Sequence, residues 1–240
     1  MQTQTQVIPI EHAGTQLQGH LFAPEDVGSP RPAVIVCHAW AGCDAFARSK
    51  AEKISDLGYI GFAADLYGEG RVGMSKEENA ALMQPLLDDR GLLRERLLAI
   101  YEAVRDRPEV DADHIAVIGY CFGGLCALDL ARSGSPLVTT VSFHGLLSSP
   151  DNLATEPIPG KVLVLHGHLD PMVSQEEIVA LKSELTEAGA DWQLLIYGRA
   201  LHAFTNPEAN DPDFGTVYDA ATDRRSWQAL ENALTESFGK

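Results

Sequence analysis

The 240-residue chain is short of cysteine, of basic side chains and of long apolar runs, and each shortage closes off a class of protein. Its four cysteines, at positions 37, 43, 121 and 126, show no Cys-x-x-Cys spacing. A disulfide framework is therefore not expected, since such frameworks belong mainly to small secreted domains. A zinc site is equally poorly supplied: His166 and His168 alternate beside Asp170, but no second cluster of ligands follows. Only 18 lysines and arginines face 34 aspartates and glutamates, for a formal charge of −16. That balance argues against nucleic acid and against anionic membrane surfaces as partners. No apolar stretch approaches the roughly 18–20 residues of a membrane-spanning helix. The first eight residues, Met1 to Ile8, have neither a basic start nor an apolar core, so a secretory signal is not expected and a cytoplasmic location is. No repeat, low-complexity tract or linker breaks the chain, and residues 1–240 are expected to form a single domain.

What is present is an alternation of two periodicities. Val7–Ile10 and Gln16–Phe22, separated by a turn containing Gly14, predict an N-terminal hairpin. Apolar strand runs follow at Ala33–Cys37, Ile60–Ala64, Ile115–Gly119, Leu137–Phe143, Lys161–Leu165 and Gln193–Tyr197. Helical patterns lie between them, near Ala45–Leu57, Ser75–Leu87, Leu92–Arg107, Cys121–Ala131 and Gln175–Ala188, with a last one at Asp219–Phe238. Strands apolar on both faces, alternating with helices, imply an α/β fold with a mostly parallel sheet covered on both sides. In such sheets the sites form at the carboxyl ends of the strands.

One strand end stands out. The run Ile115–Gly119 leads into Gly119-Tyr-Cys121-Phe-Gly123 and then directly into a helical stretch. This is the strand–turn–helix layout of a nucleophile elbow, with cysteine in place of serine. A helix N-terminus beside the sulfur favours thiolate. Hydrolases of this architecture run nucleophile, acid, histidine along the chain. Asp170 lies just beyond the strand Lys161–Leu165, and His202 is the one histidine that follows it. Chain order thus selects Cys121, Asp170 and His202, while His38, His144 and His166 read as groups around the pocket. In the chemistry that follows, His202 takes the thiol proton or pairs with a preformed thiolate, Asp170 holds the imidazole, and the sulfur attacks an ester or lactone carbonyl to give a thioester. The oxyanion needs two donors, assigned to the backbone amides of Phe122 and Trp40.

At these residues the chain resembles the dienelactone hydrolase family of α/β-hydrolases. The resemblance rests on His38-Ala-Trp-Ala-Gly42, Asp65-Leu-Tyr-Gly68, Gly119-Tyr-Cys-Phe-Gly-Gly124, His166-Gly with Asp170-Pro171, and His202-Ala-Phe-Thr-Asn-Pro207. It implies an α/β-hydrolase fold with a sheet of about eight strands, a Cys-His-Asp triad and no cofactor. Members of the family open unsaturated lactones such as carboxymethylenebutenolide. Two positions depart from the family pattern. Ala39 stands where a glutamate helps govern the protonation of the cysteine, and Thr205-Asn206-Pro207 stands where an arginine for the substrate carboxylate is expected. Ala39, Tyr67, Arg71 and His144 are the candidate pocket residues, with Arg71 the one candidate cationic contact. The expectation is a carboxylic-ester or lactone hydrolase acting on a small molecule, with no metal and an oligomeric state left open. A true dienelactone hydrolase is the alternative within the class; a thiol sensor or an acyltransferase is the alternative outside it.

Overall fold

The computed structural model describes residues 3–25 and 28–239. Eight strands form a sheet in the order β1-β2-β4-β3-β5-β6-β7-β8. Contacts divide the chain into two compact units, 1–118 and 119–240.

In the first unit, β1 (Thr3–His12) and β2 (Thr15–Pro24) make the expected hairpin. Ala13 and Gly14 both adopt positive φ, 48° and 77°, as the tightest hairpin turns require. The strands run longer than the sequence pattern predicts, because backbone pairing carries through residues whose side chains face water. β2 pairs antiparallel with β4 (Ile60–Ala64), and β4 pairs parallel with β3 (Arg31–Cys37). All five β4 residues are buried, as are the last five of β3, which fits strands covered on both faces. Helices α1 (Ala45–Asp56), α2 (Lys76–Asp88) and α3 (Arg90–Arg105) start at Asp44, Ser75 and Asp89. Each of these caps accepts a backbone N–H from the first turn, satisfying one of the donors a helix start leaves over.

β5 (Val110–Tyr120) leads into the second unit and stops at Cys121, where α4 (Phe122–Arg132) begins. All eleven residues of α4 are buried. β6 (Thr139–Phe143), β7 (Lys161–Gly167) and β8 (Asp191–Tyr197) pair in parallel. α5 (Gln175–Glu187) and α6 (Ala220–Phe238) complete the alternation. Arg132 is fully buried and binds both oxygens of Glu184 at 2.9 and 2.8 Å, and it also donates to Asp129 and to the carbonyls of Leu147 and Ser148. Burial works against that charge, but the two carboxylates outweigh it and raise the guanidinium's proton affinity. The network ties α4, α5 and the segment after β6 together, and removing one member of such a buried set costs about 3–5 kcal/mol.

β8 departs from the expected pattern of strands buried on both faces. It is the last strand of the sheet, and its residues are exposed or half-buried throughout, Leu195 and Ile196 among the exposed ones. A short pair, β9 (Asn210–Asp211) with β10 (Thr216–Val217), is absent from the sequence reading. Among the described residues no helix is long and apolar enough to cross a membrane.

Candidate active site

The turn after β5 is built by close approach. A Cβ on Gly119 would lie 1.8 Å from the Gly123 carbonyl oxygen, and one on Gly124 would lie 2.6 Å from Gly145 Cα. Glycine is therefore the residue that lets strand, turn and helix pass so near one another. Cys121 itself takes φ 56° and ψ −120°. A side chain other than glycine in that region signals a strained, over-determined position of the kind that clusters at functional sites. Its carbonyl accepts Gly124 N–H at 2.9 Å, and its own N–H donates to the Phe143 carbonyl at 3.1 Å. Cys121 sits at the start of α4, whose first amides and dipole favour negative charge on the sulfur. It is also the one partly exposed cysteine of the four. Cys37 and Cys43 are buried, and burial pushes both thiols up to about 12.

His202 and Asp170 form a buried pair. Nδ1–H of His202 donates to Asp170 Oδ2 at 2.7 Å, with both side chains at 1% exposure or less. The other oxygen of Asp170 accepts the Met172 N–H at 2.9 Å, which fixes the carboxylate at the turn after β7. Burial alone would lower the proton affinity of His202. The Cys121 charge, the Asp170 hydrogen bond and a loose contact with the Cys121 sulfur raise it instead, and the group is pushed up to about 10. Nε2 makes no well-formed hydrogen bond, and catalytic contacts are often loose before substrate binds. The unit of residues 119–240 thus contains a cysteine at a helix start, an imidazole whose proton affinity is raised, and a carboxylate hydrogen-bonded to it.

The His202 backbone is held by elements the sequence reading did not anticipate. Its N–H donates to the Gly215 carbonyl at 2.9 Å, and its carbonyl accepts the Val217 N–H at 3.1 Å. This makes a parallel bridge with Thr216 at β10. A Cβ on Gly215 would lie 2.2 Å from Pro171 Cγ, so the strap that holds His202 also packs against the turn that carries Asp170. Two-residue strands leave no periodic trace, so no sequence signal could have found them.

The remaining candidates divide. His144 is buried, with Nε2 at 2.8 Å from Thr205 Oγ1, and its ring meets that of His202 edge-on at 5.1 Å. His166 is buried at the end of β7, and burial lowers its proton affinity. Phe122 is fully buried at the first position of α4. In the first unit, the Trp40 carbonyl accepts the Tyr67 hydroxyl at 2.8 Å, and the Ala39 carbonyl accepts His38 Nδ1–H at 2.6 Å. Tyr67 is almost wholly buried, so it acts on the loop of residues 39–42 through that hydroxyl. Arg71 turns its guanidinium back onto the carbonyls of Tyr67 and Gly68. Thr205, which stands where the family pattern places an arginine, is a buried partner of His144.

Comparison with known proteins agrees with this architecture. The solved structure titled "m3DLH" is 38% identical, covers 98% of this chain and 99% of that chain, and superposes with a TM-score of 0.92. A dienelactone hydrolase-like promiscuous phosphotriesterase, P91, from metagenomic libraries is 35% identical over 98% of this chain and 99% of that one, with a TM-score of 0.91. A Bradyrhizobium protein named "Probable 2-oxo-3-(5-oxofuran-2-ylidene)propanoate lactonase" is 28% identical over 72% of this chain and 73% of its own length. The model of the dienelactone hydrolase family matches residues 17–238, and with that match the chain belongs to the dienelactone hydrolase family of ester- and lactone-cleaving α/β-hydrolases.

Proposed function

We propose that the protein hydrolyses a small carboxylic ester or lactone through a Cys121–His202–Asp170 triad and a thioester on Cys121. The observation that carries the reading is the buried His202–Asp170 pair beside a cysteine at positive φ at the start of α4. The helix start at Cys121 and the Asp170-bonded imidazole of His202 support a thiolate–imidazolium pair as the attacking form. The thiolate attacks the carbonyl carbon, a C–S bond forms, and the carbonyl electron pair moves onto oxygen. The Phe122 amide at the start of α4 is the proposed donor to that oxyanion. Collapse breaks the C–O bond, and His202 gives its proton to the departing alkoxide, which stays tethered when the substrate is a lactone. Neutral His202 then takes a proton from water, the hydroxide attacks the thioester, and the acid leaves as the thiolate re-forms. Asp170 keeps one ring tautomer throughout and stabilises the imidazolium.

The lactonase relative supports an unsaturated lactone as one substrate class. The similarity to the phosphotriesterase supports a second reading, in which the same thiolate attacks a phosphotriester. p-Nitrophenyl acetate, a small unsaturated lactone and a p-nitrophenyl phosphotriester, offered in parallel to wild type and Cys121→Ala, test both. Multiple turnovers that vanish in the variant support hydrolysis, and the best substrate ranks the classes. A single stoichiometric burst points instead to a thiol sensor, or to an acyltransferase awaiting its acceptor. Unchanged turnover in Cys121→Ala would remove the nucleophile.

A further inference from the structure

The strand ends of the second unit set another imidazole against His202. Cys121 N–H donates to the Phe143 carbonyl, and His144 N–H donates to the Leu165 carbonyl at 2.8 Å. The residue that follows β6 therefore stands between the nucleophile turn and the end of β7. His144 adopts φ 38°, a left-handed backbone rarely taken by a residue other than glycine. Its ring lies edge-on to His202 at 5.1 Å and to Phe204 at 4.9 Å. Nε2 reaches Thr205 Oγ1 at 2.8 Å, and both side chains are buried, at 2% and 0% exposure.

Packing alone does not call for this pair. A phenylalanine at 144 and a valine at 205 would fill comparable space without burying two polar groups, which is costly unless they are matched to each other. What the hydrogen bond adds is direction. Thr205 lies three residues beyond His202, past Ala203 at φ 56° and a turn closed by Asn206 N–H on the Ala203 carbonyl. Asp170 bonds one atom of the His202 ring, so rotation about that single point is limited only by what packs against the rest of the ring. An edge-on neighbour that cannot itself rotate removes the swing.

We propose that His144 and Thr205 act as positioning residues, a buried brace that holds the His202 ring in the orientation needed at Cys121. The inference rests on the triad reading above and deepens it. Four variants test it: Thr205→Val, Thr205→Ser, His144→Phe and the double variant His144→Phe/Thr205→Val. In Thr205→Val and His144→Phe, kcat for p-nitrophenyl acetate should fall about 10- to 100-fold with KM within about twofold, the mark of misaligned rather than unbound substrate. The pH profile of Cys121 alkylation by iodoacetamide should shift in the same two variants, because the imidazole no longer sits where it supports the thiolate. Thr205→Ser should restore both readouts, and the double variant should be no worse than the poorer single one. Wild-type kcat and an unmoved alkylation profile in folded Thr205→Val would overturn the brace, as would losses that simply add in the double variant. If His144→Phe does not fold, the two Thr205 variants decide the question by themselves. If the wild type turns over no ester, the proposed function fails, while the alkylation profiles still decide the brace.

Discussion

In residues 1–118 a cysteine, a histidine and an aspartate stand at strand ends, as Cys37, His38 and Asp65. In residues 119–240 the same three types stand at 121, 202 and 170. The difference lies in how many of their polar atoms are already engaged. Asp65 is fully buried, and its two oxygens accept four backbone N–H groups, from Gln18, Tyr67, Gly68 and Gly70. Asp170 gives one oxygen to the Met172 N–H and keeps the other for His202. His38 uses both nitrogens on backbone: Leu66 N–H donates to Nε2 at 3.2 Å, and Nδ1–H donates to the Ala39 carbonyl at 2.6 Å. Those partners require the neutral ring, and burial lowers its proton affinity to match. His202 commits only Nδ1, and its proton affinity moves the opposite way. Cys37 is buried and its thiol pushed up to about 12, whereas Cys121 is partly exposed at a helix start. In the first set the histidine and aspartate are spent on backbone and the cysteine is buried; in the second, one ring nitrogen and a partly exposed sulfur are left over, as the proposed chemistry needs.

The largest test of that contrast exchanges the two cysteines. Cys121→Ala should lower turnover of an activated ester by about 10³-fold or more. Cys37→Ala should keep turnover within a few-fold and cost about 1–3 kcal/mol of stability in urea unfolding. The aspartates should separate in the same way. Asp170→Asn is expected to lose about 10²–10⁴ in kcat, because the amide can hold the wrong imidazole tautomer. Asp65→Asn should instead destabilise the protein by about 1–3 kcal/mol for each backbone amide left unsatisfied. A kcat loss without destabilisation in Asp65→Asn would erase the distinction.

A smaller effect is expected from the strap behind His202. Gly215→Ala would drive a methyl group into Pro171, and the displaced carboxylate should cost about 10- to 100-fold in kcat. Unaltered kcat would mean that the strap and the Asp170 turn move independently.

The pH dependence carries a definite sign. The His202 value rises from an ordinary 6.5 to about 10, so the folded state binds that proton more tightly than the unfolded chain does. Its contribution to stability is complete below pH 6.5 and is lost as the pH rises through 10. The alkaline limb of kcat/KM should fall over the same range, as the imidazolium that protonates the leaving group disappears. A wild-type melting temperature that increased across that interval would contradict the assignment.

Much of this arrangement is legible in the chain alone. Strand and helix cores match the apolar periodicities closely, because burial on both faces of β3 and β4 leaves nearly uninterrupted apolar runs. Gly119, Cys121 and Gly123 mark the elbow, since few other residues tolerate such close backbone approach. The proposed order Cys121, Asp170, His202 is available in the sequence because strand ends in a parallel sheet share one edge. Which of two similar trios remains uncommitted is not readable. Cys37, His38 and Asp65 look as reactive on paper as their counterparts, and only the fold buries the first and hydrogen-bonds the other two. Pairing between His144 and Thr205, 61 positions apart, and the strap through Gly215 and Thr216 likewise leave no local pattern. Periodicity records what a side chain needs from solvent, so it determined the layers. Hydrogen bonds between distant loops record what each polar atom finds, and only the folded chain could decide that.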